Sequence, residues 1–316
     1  MTDTVFMFSG QGSQYFQMGK ALYDSNRSFR EWMVRLDDVA RGLVGGSVIA
    51  TLYSSEKAKA DPFERTLLTH PAIFMVEYSL AQTLMQAGVR PDMVLGVSMG
   101  SFAAAAVAGL LEAEDALTAV VRQAMSLEEH GEPGGMTAIL TDPALFEEDF
   151  LGLHSELAAI NFDSHFLVSA KRAELAEIEA TLKQRNVVYQ RLPVAFPFHS
   201  RWIDRAKTSF GAVSRSLRCK QGRIPLICSD RTTTVSDLSA DYFWDVVRNP
   251  IRFREAVNRL DRERSRRFID VGPAGTLATF LKYSLPQTTG STVRAILTPY
   301  GLDQKNLADV LSSNGH

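Results

Sequence analysis

Cysteine is scarce. Cys219 and Cys228 are the only two in 316 residues, and neither stands at a metal-ligand spacing. They read as free thiols of a reducing cytoplasm. The six histidines are scattered, which argues against zinc; His130, His154 and His165 read as solvated loop residues, and His316 is terminal. Charge of one sign is also lacking: the net charge of −2 offers nothing to nucleic acid or an anionic membrane. No apolar run reaches transmembrane length. The N-terminus has no basic region before its first strand-like stretch, so no signal peptide is expected. Internal repeats and low-complexity segments are missing too. What is present is an apolar fraction of 45%, ample for a buried core in one large domain or two.

The most informative stretch is Met93-Val94-Leu95-Gly96-Val97-Ser98-Met99-Gly100, followed by the small-residue run 102–108. An apolar strand, Gly-x-Ser-x-Gly and a helix are the context of a nucleophile elbow. Gly96 and Gly100 remove side chains where strand and helix approach, and Ser98 is left at the tip of a strained turn. The helix N-terminus behind it turns backbone N–H groups toward the site. The Met99 N–H is the natural first donor to an oxyanion.

In chain order, residues 5–8 read as a buried strand followed by the loop Ser9-Gly10-Gln11-Gly12-Ser13-Gln14. This loop lacks the third glycine of a dinucleotide fingerprint. Its alternative use is to bring backbone N–H groups close to a reacting oxygen. Helices are expected over 19–44, 67–87 (strongly amphipathic, opening near Thr69-His70-Pro71), 102–108 and 114–129. After the breaker Glu132-Pro133-Gly134-Gly135 the rhythm changes. Strand 136–140, helix 143–150, strands 157–161 and 166–170, helix 172–184 and strand 187–192 give the β-α-β-β-α-β order of a ferredoxin-like unit. Residues 133–194 are therefore read as a small domain inserted into a large α/β domain, 1–132 plus 195–316. Helix 201–217, strand 224–229, helices 242–248 and 251–264, strand 267–271, a tail helix and strand 292–297 complete it.

Four runs coincide with one family: 8–14, 96–100, Asn249-Pro250-Ile251-Arg252-Phe253 and Asp270-Val271-Gly272-Pro273. In order and spacing the chain resembles the malonyl-CoA:acyl-carrier-protein transacylases, a family that includes the acyltransferase domains of polyketide synthases. The resemblance implies an α/β-hydrolase-like core with a parallel sheet and an inserted ferredoxin-like domain. It implies Ser98 as nucleophile, His199 as general base, and the Gln11 and Met99 backbone N–H groups as oxyanion donors. A main-chain carbonyl would orient the histidine, with Asn249 and Arg252 as candidates. Gln123, His70, Phe198 and Asn161 are the expected substrate-binding residues. It further implies no metal and no bound cofactor, with the acyl group arriving on the phosphopantetheine of an acyl carrier protein or on CoA. The expected partners are carrier-protein domains of a polyketide synthase, with no nucleic acid and no membrane.

The departures from the family pattern bear on function. Val97 stands where relatives usually have histidine, Ser101 where they have glutamate, and His70 where they have glutamine; His70 lines the site or caps its helix. The arginine that grips a malonyl carboxylate, 25 residues after the nucleophile, is replaced by Gln123, with Arg122 beside it. One residue is a rotation of about 100° on a helix, so only one of the two can face the pocket. A gapless count selects Gln123, which is neutral and cannot make arginine's bidentate grip. Three functions are compatible with these features. The first is a stand-alone acyl hydrolase that clears short acyl groups from carrier proteins. The others are a trans-acting transacylase, for malonyl or another acyl unit, and a non-catalytic carrier-binding module. Loss of the arginine favours the hydrolase.

Overall fold

The computed structural model describes residues 2–235 and 237–313. Strand β1, Asp3–Phe8, sets the architecture, because Val5, Phe6, Met7 and Phe8 are all buried. Alternate side chains leave a strand on opposite faces. Val5 and Met7 pack with helices Phe253–Glu263 and Thr276–Ser284, while Phe6 and Phe8 join the larger core on the other side. A sheet covered on both faces is the usual parallel arrangement. Strands β2 (Met93–Gly96), β7 (Leu226–Cys228), β8 (Thr234–Val235), β9 (Arg266–Asp270) and β10 (Thr292–Ala295) complete it in the order β10-β9-β1-β2-β7-β8. All neighbours are parallel except β7 and β8. The register pairs Phe8 with Gly96 and Met7 with Asp270. The carboxyl ends of β1, β2 and β9 therefore open side by side, the customary ligand position of such sheets.

A second, antiparallel sheet contains β3 (Gly134–Ile139), β4 (Glu156–Phe162), β5 (His165–Lys171) and β6 (Tyr189–Arg191), in the order β4-β5-β3-β6. Helix Arg172–Gln184 seals one face with Leu175, Ile178 and Leu182. The fold is thus an α/β core with a ferredoxin-like subdomain. The two sheets are joined near the site: the Ile251 N–H donates to Ala158 O at 2.7 Å, and Ile251 forms an isolated parallel bridge with Ala159.

Several local expectations are corrected. The helix expected over 19–44 is two, Lys20–Ser25 and Arg27–Val44, because the Asn26 side chain accepts the Phe29 N–H and starts a new helix. The helix expected over 67–87 is Thr66–Gln86; it is buried on nearly every side and so is not amphipathic. It begins one turn before Pro71, with the Leu67 N–H donating to Glu128 Oε1. The helix expected over 143–150 is a 3₁₀ turn, Pro143–Glu147, and a single turn, Asp149–Gly152. Region 201–217 opens as 3₁₀ helix over Arg201–Ala206 before Lys207–Ser216. Helices Val48–Leu52 and Asp303–Ser312 and the short β8 were not expected. Among the described residues no helix is long and apolar enough to cross a membrane.

Candidate active site

The elbow begins where β2 ends. The Val97 N–H continues the ladder to Phe8 O at 2.9 Å, and Ser98 then turns to φ 53°. A non-glycine residue there is strained and marks functional sites. The next helix, Gly100–Val107, can start at once only because Gly100 has no side chain; a Cβ there would lie 2.3 Å from Phe8 O. The amides of Gly100, Ser101 and Phe102 close back onto Val97, Ser98 and Met99. The Met99 N–H precedes this series, beside Ser98.

His199 follows the second sheet. It too has positive φ, 60°, and its own N–H donates to Val247 O at 2.9 Å. Ser169 on β5 donates to the carbonyl of Phe198, tying the preceding residue to the second sheet. The His199 ring lies between two partners: Nε2 is 2.9 Å from Ser98 Oγ and Nδ1 is 2.6 Å from Asn249 O. A carbonyl only accepts, so Nδ1 carries the proton and Nε2 is left to accept from the serine hydroxyl. Burial pushes the imidazole down to about 4; the Asn249 carbonyl opposes this, and the Arg248 charge adds to it. At neutral pH the ring is an uncharged base. Asn249 precedes Pro250, whose ring favours extended backbone before it, and Asn249 has φ −81° and ψ 155°. Of the two expected orienting carbonyls, Asn249 holds the ring. Arg252 does not: its N–H donates to Ser229 O, and its exposed guanidinium pairs with Glu255.

The loop after β1 approaches from the other side. Gly10 packs so tightly on the elbow that a Cβ would sit 2.9 Å from that of Ser98. Gln14 pins the loop, accepting the Gly12 N–H at 2.7 Å and donating to Phe63 O at 3.0 Å and Pro193 O at 2.7 Å. The Gln11 side chain donates to Thr69 Oγ1 at 2.8 Å, and Gln11 borders the cavity.

That cavity, of about 270 Å³, lies between the two sheets. Ser98, His199, Phe198 and Asn161 line it, as do Met136, Leu167, Ile251 and Phe280. Among the described residues lining it there is no lysine, arginine, aspartate or glutamate. His165 was expected in a solvated loop. It opens β5, lines the cavity, and meets the Asn161 amide at 3.0 Å; burial holds its ring below the ordinary range. Asn161 and His165 face one another across the β4–β5 turn, a pairing that the i, i+4 spacing across a short polar turn could have signalled.

Two expected pocket residues do not border the cavity. His70 is fully buried with neither ring nitrogen hydrogen-bonded, its ring 5.6 Å from Phe198; burial pushes it down to about 3. Gln123 is also fully buried, and its Nε2 donates to Phe243 O at 2.9 Å. Helix Ala113–His130 is continuous, with Arg122 on its exposed face. Neither cysteine is in a disulfide, and among the described residues no three His, Cys, Asp or Glu side chains converge on a metal position.

The chain is 46% identical over 310 residues to the polyketide biosynthesis acyltransferase homolog BaeD of Bacillus velezensis, covering 98% of this chain and 96% of that protein. It is 41% identical to the homolog PksD of Bacillus subtilis, covering 97% and 95%. A loading acyltransferase from the avermectin modular polyketide synthase superposes with a TM-score of 0.88 at 25% identity, covering 99% of this chain and 100% of that one. The model of the acyl transferase domain matches residues 5–315, and the chain belongs to that family.

Proposed function

We propose that the protein is a serine acyl hydrolase of polyketide biosynthesis that removes short, uncharged acyl groups from acyl carrier proteins. Ser98 Oγ attacks the thioester carbonyl as His199 Nε2 takes its proton. The Gln11 and Met99 N–H groups stabilise the tetrahedral oxyanion, each contributing roughly 3–4 kcal/mol. The C–S bond then breaks, and the phosphopantetheine sulfur leaves with the proton from His199. Water attacks the acyl-Ser98 ester with the same base, releasing the carboxylic acid and restoring the serine. The acyl group is carried on the phosphopantetheine of the carrier or on CoA, and no cofactor enters a step.

One observation carries the choice of substrate. Among the described residues lining the cavity beside Ser98 there is no lysine or arginine, and burial lowers the basicity of its two histidines. A malonyl carboxylate there would lose its water with no ion pair in return. An acetyl or other neutral chain has no such penalty. The names of the Bacillus relatives favour a second reading, acyl transfer to a carrier thiol. The close Ser98–His199 contact counts against a carrier-binding module without catalysis.

Mass spectrometry of acetyl- and malonyl-loaded carrier proteins separates the readings. Free carrier thiol with released acid is the expected result. Movement of acyl groups from CoA onto the carrier, without net acid release, would establish the transacylase instead.

A further inference from the structure

The long buried helix Thr66–Gln86 contains one acidic side chain, Glu77, set among Phe74, Met75, Val76 and Tyr78. It is fully buried and outside the cavity at Ser98. Its Oε1 accepts two bonds from one residue, the Ser9 N–H at 2.7 Å and Ser9 Oγ at 2.9 Å. Its Oε2 has no hydrogen-bond partner. Ser9 is the first residue after β1, two before Gln11. Its hydroxyl also lies 3.0 Å from Ser13 Oγ, which donates to Gly10 O at 2.8 Å. On the far side the hydroxyl leaves no room: a Cβ on Gly272 would stand 2.3 Å from it. The Ser9 hydroxyl gives its one proton to Glu77 and the Ser13 hydroxyl gives its own to Gly10 O, so the helix anchors Ser9 directly, two residues before the Gln11 amide.

We propose that Glu77 is a positioning residue for the acyl-transfer step: by holding Ser9 twice, it fixes the Gln11 N–H at the oxyanion. This rests on the reading of Gln11 given above. Burial in an apolar interior keeps the Glu77 carboxyl well above its usual range, a tendency that the Ser9 bonds only partly oppose. Toward Ser9 it acts as an acceptor through Oε1. Glutamine reproduces that acceptor, and leucine removes it.

The test uses the full chain and reads acylation per active site, titrated by the burst, together with kcat and KM. Misplacing an oxyanion donor affects the transition state more than the bound substrate. Glu77→Leu should acylate about 10²-fold more slowly, with KM within about threefold. Ser9→Ala, which keeps the backbone bond and loses the hydroxyl one, should fall between Glu77→Leu and wild type. Glu77→Gln should restore the rate to within about threefold of wild type. A Glu77→Leu enzyme with the wild-type acylation rate per titrated site overturns the proposal, as does a loss confined to KM. So does Glu77→Gln behaving like leucine. If Glu77→Leu does not fold, a wild-type rate in Ser9→Ala has the same meaning. Failure of the wild type to acylate Ser98 at all is a different result, which removes the underlying reading of the site.

Discussion

Ser98 Oγ and His199 Nε2 stand 2.9 Å apart, and both residues hold positive φ, 53° and 60°. Their side chains meet although 101 residues separate them in sequence. Two strained turns, one at the end of β2 and one beyond the second sheet, converge on one hydrogen bond.

Ser98→Ala should end acylation while leaving the fold intact. Intact-mass spectrometry with an acyl thioester should show an adduct on wild type only; an adduct on Ser98→Ala would move the nucleophile elsewhere. His199→Ala should acylate several orders of magnitude more slowly. With the His199 imidazole held down to about 4, kcat/KM should stay level from about pH 6 to 8 and fall only as pH drops toward 4. A midpoint near the ordinary histidine value would mean that the ring is far better solvated than its burial indicates.

His70 makes a prediction about stability. Its folded value, about 3, lies below that of an unfolded histidine, so the unfolded chain binds more protons between roughly pH 3 and 6.5. Stability from this residue is complete above that window and is lost as pH falls through it. His199 acts in the same direction; Asp270, raised by burial to about 6, opposes both. Substitution isolates the His70 part. Between pH 7 and pH 4.5, wild type should lose about 2–3 kcal/mol more than His70→Gln. Urea midpoints at the two pH values measure the difference, and equal losses would show that His70 takes up its proton without unfolding.

Acyl selectivity follows from the uncharged cavity. Acetyl thioesters should be cleaved one to two orders of magnitude faster than malonyl ones, given about 1.5–3 kcal/mol for a hydrogen bond to a charged group. Arg122→Ala, on the exposed face, should leave that gap unchanged, and so should Gln123→Asn, since Gln123 does not border the cavity. A malonyl preference abolished by Arg122→Ala would reverse the assignment of the two helix faces.

The donor's carrier should matter as well. The cavity lies between two sheets, so a carrier protein delivering its arm can touch both, and remote contacts can raise the rate at the reacting carbon. An acyl carrier thioester should show a higher kcat/KM than the same acyl group on CoA or a short thiol. Equal values for all three would count against carrier recognition.

The elbow was legible in the sequence because its constraints are local. Gly100 is imposed by the carbonyl of Phe8, and strand, turn and helix adjoin one another in the chain. His199 was visible only through resemblance, since the Asn249 carbonyl that orients it is 50 residues away and any residue type can supply a carbonyl. The same holds for Gln123, whose side chain is taken by the carbonyl of Phe243, 120 residues on. Helix Thr66–Gln86, expected to be amphipathic, has its polar residues Thr69, His70, Glu77 and Ser79 buried, a placement that only the surrounding packing decides. Glu77 stands out in the sequence as a lone acid directly after the apolar run Ile73-Phe74-Met75-Val76.

The bridge between Ala159 and Ile251 has a consequence for self-association. An open sheet edge is a template for pairing with another molecule. The longest edge here is β4, seven residues, and Ile251 and the helices Phe253–Glu263 and Thr276–Ser284 lie against it. The opposite edge of that sheet, β6, is three residues long and ends in exposed Gln190 and Arg191. In the parallel sheet, β8 is two residues and β10 is four, with exposed Arg294. Each edge is either short or covered, so the apolar cleft between the sheets can stay open to a substrate without offering a long free ladder to a neighbouring copy.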